Sequence, residues 1–225
     1  MTNTTGWILI IAVALIGAIV QGRLKSVFKK YSKVLSPGGL TGAQIAQKML
    51  YDNGIYDVKI TCIEGELTDH YDPTKKTVNL SRDVYGTNSI SAAAVAAHEC
   101  GHAVQHKVGY APLRLRSKLV PITNISSMLS QIVILVGIVL INVFRPLFWI
   151  GIAMFSIVLL FNVVTLPVEV NASGRALAWL KSSNSLSSTE VDQAQEALKW
   201  AARTYIVAAL SSLVTLIYYL GFADD

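Results

Sequence analysis

The stretch SSMLSQIVILVGIVLINVFRPLFWIGIAMFSIVLLFNVVT, residues 126–165, decides the fold class. It contains two runs, 126–144 and 147–165, each close to the ~20 apolar residues that carry a helix across hydrocarbon at 1.5 Å per residue. Between them stands only Arg145-Pro146. That pair is too polar to lie unpaired in lipid and too poor a helix former to be read through, so a helical hairpin turning at Arg145-Pro146 is predicted. Working outward, two more runs meet the same test. Residues 6–20 read GWILIIAVALIGAIV, and residues 204–222 read TYIVAALSSLVTLIYYLGF, with Tyr218 and Tyr219 suited to a membrane interface and Asp224 and Asp225 beyond. No Lys or Arg precedes the first run, whereas Arg23, Lys25, Lys29, Lys30 and Lys33 follow it. A cleaved signal peptide has the opposite order, so the run reads as a permanent anchor with its N-terminus outside.

Composition agrees. Of 225 residues, 52% are apolar and 15% charged, and the mean hydropathy is +0.48. Disordered, collagenous and disulfide-dense chains are excluded on those figures. The net charge of +5 comes with no aromatic-interleaved basic stripe, so no nucleic-acid partner is expected. Topology explains the basic excess instead: of the 19 Lys and Arg residues, 14 lie between the first and second runs, four between the third and fourth, and one in the hairpin turn. The positive-inside rule then puts both long polar segments in the cytoplasm, against a lipid bilayer that their basic residues contact. The expected organisation is an N-terminal anchor (1–22), a cytoplasmic segment (23–123), a transmembrane hairpin (124–165), a second cytoplasmic segment (166–203) and a C-terminal span (204–225). Cys62 and Cys100 read as reduced and structural in that compartment.

Within the polar segments, residues 41–53 (TGAQIAQKMLYDN) put Ile45, Met49 and Leu50 on one helical face, with Gly54 as the stop. The alternation through Val58, Ile60 and Cys62, punctuated by Gly65 and Asp72-Pro73, predicts a small meander of strands. Residues 91–105 (SAAAVAAHECGHAVQ) are strongly helix-forming. Ser187 followed by Glu190 is a capping-box pattern opening a helix into the fourth run.

The alanine-rich helix carries His98-Glu99-Cys100-Gly101-His102, an H-E-x-x-H pattern. Residues four apart share a helical face, so both imidazoles converge on one zinc ion, while Glu99 is turned about 100° away to act on water rather than to bind metal. A catalytic zinc needs a third protein ligand and an open position. His106 lies eight residues, about 12 Å, along the same helix from His98, and its spacer Ala103-Val104-Gln105 holds no glycine to bend the chain back. Glu169, after Leu166-Pro167-Val168 at the cytoplasmic end of the third run, is the better candidate, because a carboxylate so close to hydrocarbon needs a partner. Asn171 and Ser173 are candidates to orient a histidine ligand or merely to cap a helix end. Arg175 is a candidate to neutralise an oxyanion or to meet lipid phosphates.

Residues 67–85 (LTDHYDPTKKTVNLSRDVY), 91–105 and 165–176 (TLPVEVNASGRA), together with the layout of the spans, resemble the YugP-type zinc-dependent membrane peptidases of bacteria. The arrangement is similar, more distantly, to HtpX-type and CAAX-prenyl membrane endopeptidases. In those an aspartate commonly follows the third ligand by four residues, where this chain has Ser173. The resemblance implies a mainly α membrane protein: four transmembrane helices and a cytoplasmic zincin-like α+β domain with a small sheet, in the inner membrane of a bacterium. It implies zinc on His98, His102 and Glu169, and Glu99 as catalytic acid/base. It also implies a strand holding the substrate beside the active-site helix. Thr77–Ser81 is the candidate, read as an edge strand able to pair with an extended peptide. His70 is nearby, to contact substrate or to cap the turn before Asp72-Pro73. The expected activity is hydrolysis of peptide bonds in peptides or proteins, membrane proteins among them. Two rivals stay open: a zinc-binding scaffold or sensor without catalysis, and an intramembrane protease, for which residues 90–105 are too short and too polar.

Overall fold

A computed structural model describes residues 3–36 and 38–223. Asp224 and Asp225, read above as following the last span, lie outside the described residues. The elements in order are α1 (Asn3–Tyr31), α2 (Gly42–Asp52), β1 (Lys59–Ile63), β2 (His70–Asp72), β3 (Thr77–Ser81), α3 (Arg82–Tyr85), α4 (Ile90–Lys107), α5 (Ala111–Val139), α6 (Arg145–Ser182) and α7 (Ser188–Leu220), closed by a 3-10 turn at Gly221–Ala223. Four of them, α1, α5, α6 and α7, are long and apolar enough to cross a membrane. The chain divides into two compact units.

One unit comprises α1 up to Gln21, Arg114–Pro167 and the chain from Arg203 on. Its core is an apolar cluster of Ile134, Phe148, Ile152 and Phe155. Polar side chains bond inside the bundle, as where Asn162 Nδ2 donates to Ser212 Oγ at 3.1 Å. Large apolar residues such as Ile132, Leu135 and Val139 face outward, as lipid-facing positions do. The hairpin turn is not where the sequence suggested. It falls at 140–144, where Phe144 N–H bonds Leu140 O at 2.7 Å, and Arg145 and Pro146 open α6. A proline costs nothing in a first helical turn, since its missing N–H would have no intrahelical partner there.

The other unit comprises Gly22–Leu113 and Val168–Ala202. Its α2 begins at a complete capping box between Thr41 and Gln44 and buries Ile45, Met49 and Leu50 as the periodicity demanded. Gly54, at φ +65°, ends it. At the predicted cap, Glu190 reaches back to accept from the Ser187 N–H and hydroxyl, both at 2.8 Å, which is the glutamate half of a capping box. The strands are not a meander. Their order is β1-β3-β2, with β1 parallel to β3 and β2 antiparallel to it. Asp72 builds the β2–β3 turn by accepting from the N–H groups of Thr74 and Lys75. Thr77–Ser81 is therefore the central strand, paired on both sides, and cannot receive a peptide by edge pairing. Its Val78 and Leu80 are fully buried, which is what places it in the middle of the sheet.

Helix α4 runs through the core of this unit, capped by Ser89, whose Oγ accepts from Ala92 N–H at 3.2 Å. Alanine on most of its faces lets neighbours approach closely, and the closest approach is at Gly101. A Cβ there would stand 2.5 Å from the carbonyl oxygen of Ala172 and 3.1 Å from its carbon. Both obstacles are backbone, so no side chain can yield. Gly101→Ala is expected to cost about 1–3 kcal/mol by overpacking, which lowers the unfolding midpoint by about 2–12 °C for a chain of this size. An unchanged midpoint in a detergent melt would refute the contact.

Candidate metal centre

The site is assembled from three elements. α4 supplies His98, Glu99, His102 and Gln105; α6 supplies Glu169, Asn171, Ser173 and Arg175; β2 supplies Tyr71. The i, i+4 spacing puts His98 and His102 on one face, their rings 4.8 Å apart and nearly perpendicular. Glu169 meets that face: its Oε2 lies 3.2 Å from His98 Nε2 and 3.5 Å from His102 Nε2. The three ligand atoms lie within 4.8 Å of one another, the spacing of groups able to share one metal ion. Glu169 is 2% exposed and His102 6%, so few waters compete for them.

Each imidazole is held from behind. His98 Nδ1 is 3.1 Å from Ser173 Oγ, and His102 Nδ1 is 3.1 Å from Gln105 Oε1. Both Nε2 atoms are thereby left facing the carboxylate. Gln105, fully buried, donates its Nε2 to Val168 O at 2.8 Å and to Asn171 Oδ1 at 3.0 Å. Arg175 Nε donates to the same Asn171 oxygen at 2.7 Å. Ser173 thus touches a candidate ligand directly and Asn171 does so through Gln105, while Arg175 has a partner within the unit that neither of its proposed roles foresaw. Burial disfavours a charged His102, but the neighbouring carboxylates of Glu169 and Glu99 outweigh it and raise the ring's pKa above the ordinary value.

Glu99 stands apart from the ligand cluster. Its Oε2 accepts the backbone N–H of Tyr71 at 3.0 Å, the middle residue of β2. Burial, then Asp57 and Asp72, push the Tyr71 phenol up to about 12, so it stays protonated and can donate to His106 Nδ1 at 2.8 Å. His106 spends its ring there and is not in the ligand cluster. His70 bonds Thr68 O at 2.8 Å and Asn79 at 3.1 Å, contacts that brace the start of β2. Cys100 is fully buried with its Sγ 3.5 Å from Ala46 O, and burial, then Glu99, raises its thiol well above the usual range. It is inert packing, as expected, but its burial also means that thiol labelling there reports nothing about membrane depth. Cys62 is free and exposed, not structural.

The donor set fits zinc. Two imidazoles presenting Nε2 and one carboxylate match in type the donors of His2Glu zinc sites, and the Nδ1 contacts are of the kind that fix such ligands. Gln105 and Tyr71 were not singled out from sequence. The first had a signal, a lone polar residue three positions after His102 on an alanine-rich helix; the second acts through its main chain and had none.

Comparison with known proteins agrees with the geometry. Residues 6–224 match the family described as "Putative neutral zinc metallopeptidase". Over 200 residues the chain is 44% identical to "Putative membrane protease YugP" of Bacillus subtilis (strain 168), covering 89% of this chain and 88% of that one. No solved structure matches.

Proposed function

Because the chain belongs to this family of neutral zinc metallopeptidases, we propose that it is a membrane-bound endopeptidase that hydrolyses peptide bonds at the cytoplasmic surface of a bacterial inner membrane. The observation that carries this reading is the convergence of His98, His102 and Glu169 with Glu99 alongside, outside the ligand cluster. His98 and His102 through Nε2, and Glu169 through its carboxylate, would hold zinc. When bound, zinc supplies a Lewis acid that polarises a carbonyl and makes water acidic near neutral pH. Glu99 accepts the proton of the attacking water and returns it to the leaving amine. Tyr71 N–H fixes the Glu99 carboxylate meanwhile.

An extended substrate has two sheet edges to choose between, and β2 is the one bonded to Glu99. Its outward N–H, that of Tyr71, is already spent on Glu99, so a peptide would pair there through the Tyr71 carbonyl alone. The cytoplasmic orientation rests on the Lys and Arg asymmetry. Helix α4 is not among the four apolar helices, which disfavours an intramembrane protease. A zinc scaffold without catalysis would share the ligands but not turn over.

The test is hydrolysis of a quenched fluorescent peptide library by detergent-purified protein. Chelation should abolish cleavage and added zinc restore it. Stoichiometric zinc without cleavage of any peptide or membrane-protein substrate would favour the scaffold.

A further inference from the structure

The hydrogen bonds that end on His102 have a direction, and it can be read from their far end. A guanidinium is a donor only. The atom of Asn171 that lies 2.7 Å from Arg175 Nε is therefore the amide oxygen. That oxygen faces Gln105 at 3.0 Å, so Gln105 presents its NH2 group to it. Val168 O, an acceptor only, lies 2.8 Å from the same nitrogen and requires the same orientation independently. What remains for His102 Nδ1, at 3.1 Å, is Gln105 Oε1. An oxygen without a proton accepts only from a protonated Nδ1. A neutral imidazole carrying its proton on Nδ1 keeps its lone pair on Nε2, the nitrogen 3.5 Å from Glu169.

We propose that Arg175, Asn171 and Gln105 are positioning residues that set the tautomer of His102, committing its Nε2 lone pair to the metal. Gln105 does more than orient a ring. Its acceptor end holds a ligand of α4 while its donor end holds the carbonyl of Val168, the residue before the α6 ligand Glu169, so one amide registers ligands from two helices. A carboxylate, which usually backs a metal-bound histidine, cannot donate to Val168 and accept from His102 together when ionised. His98 differs, because the Ser173 hydroxyl is both donor and acceptor and imposes no tautomer. The inference rests on the zinc site of the proposed function, not on hydrolysis.

Imidazole tautomers are resolved by long-range proton–nitrogen correlation spectra of protein labelled with 15N-histidine, in detergent, at alkaline pH where the rings are neutral. With zinc removed and Glu169 replaced by alanine, so that no carboxylate competes for a proton on Nε2, His102 is expected as the Nδ1–H tautomer. Gln105→Met should lose that preference and bind zinc about 10–100-fold more weakly, the usual effect of losing an outer-shell partner. Arg175→Met leaves every atom that touches His102 in place, and Val168 O still orients Gln105, so it should shift the tautomer balance less than Gln105→Met and with a smaller loss of affinity. Nε2–H on His102 in the Glu169→Ala background, or a Gln105→Met change that leaves the spectrum and the zinc affinity unaltered, overturns the proposal. If the parent binds no zinc at all, the metallopeptidase reading fails, while the tautomer of His102 still reports on the relay by itself.

Discussion

Detergent-purified protein should carry about one zinc ion per chain, and Glu169→Ala should carry little. The expectation follows from how the donors are distributed. His98 and His102 sit one turn apart on a single helix, whereas Glu169 is the one donor from another helix and the one negative charge in the set. Alanine removes the charge and leaves the Nε2 atoms of His98 and His102 without their carboxylate partner. Two neutral imidazoles then face the ion without the carboxylate that offsets its charge. Metal analysis of parent and variant, purified side by side, makes the comparison. A variant as rich in zinc as the parent would mean that another residue completes the site, and His106 would have to leave its Tyr71 partner to do so.

Glu99→Gln separates binding from chemistry. Glutamine keeps the shape of the side chain and an oxygen to accept the Tyr71 N–H, but it has no basic oxygen to take a proton at neutral pH. Zinc content should stay near parental while kcat falls by about 10²–10⁴, the usual worth of a positioned general base. Proteolysis retained at the parental rate would sink the assignment of Glu99. A joint loss of zinc and activity would instead make Glu99 part of the metal site, against its position outside the ligand cluster.

Parts of this molecule were legible because local chemistry decides them. The face of α2, the Ser187–Glu190 cap and the four apolar helices all follow from spacing or run length. So does the placement of two histidines on one face of α4; reach along that helix argued against His106, whose ring is bonded to Tyr71. What escaped the sequence depended on partners. The alternation through Val58, Ile60 and Cys62 marks a strand but not its neighbours, and Cys62 lies exposed, so neither the parallel β1–β3 pairing nor the central place of β3 follows from it. The turn at 140–144 reads Leu-Ile-Asn-Val-Phe, without glycine or proline to announce it. Meanwhile Arg145-Pro146 advertised a break that a helix start absorbs. Gln105 looked like any glutamine on a helix until Val168 and Asn171 were brought against it.

The H-E-x-x-H pattern treats its third and fourth letters as free, yet in this chain they are the most confined. Cys100 has no exposed surface and packs beneath α2, and Gly101 is pressed against the backbone of α6 at Ala172. A mutational scan scored by activity alone would find all five letters intolerant, for two unrelated reasons. Changes at 98, 99 and 102 would spare the fold and disable its chemistry, whereas changes at 100 and 101 would pry the helices apart and take the chemistry with them. Inactivity is then no guide to which residues bind metal, and abundance must be read alongside it before a silent variant is counted as evidence about the site.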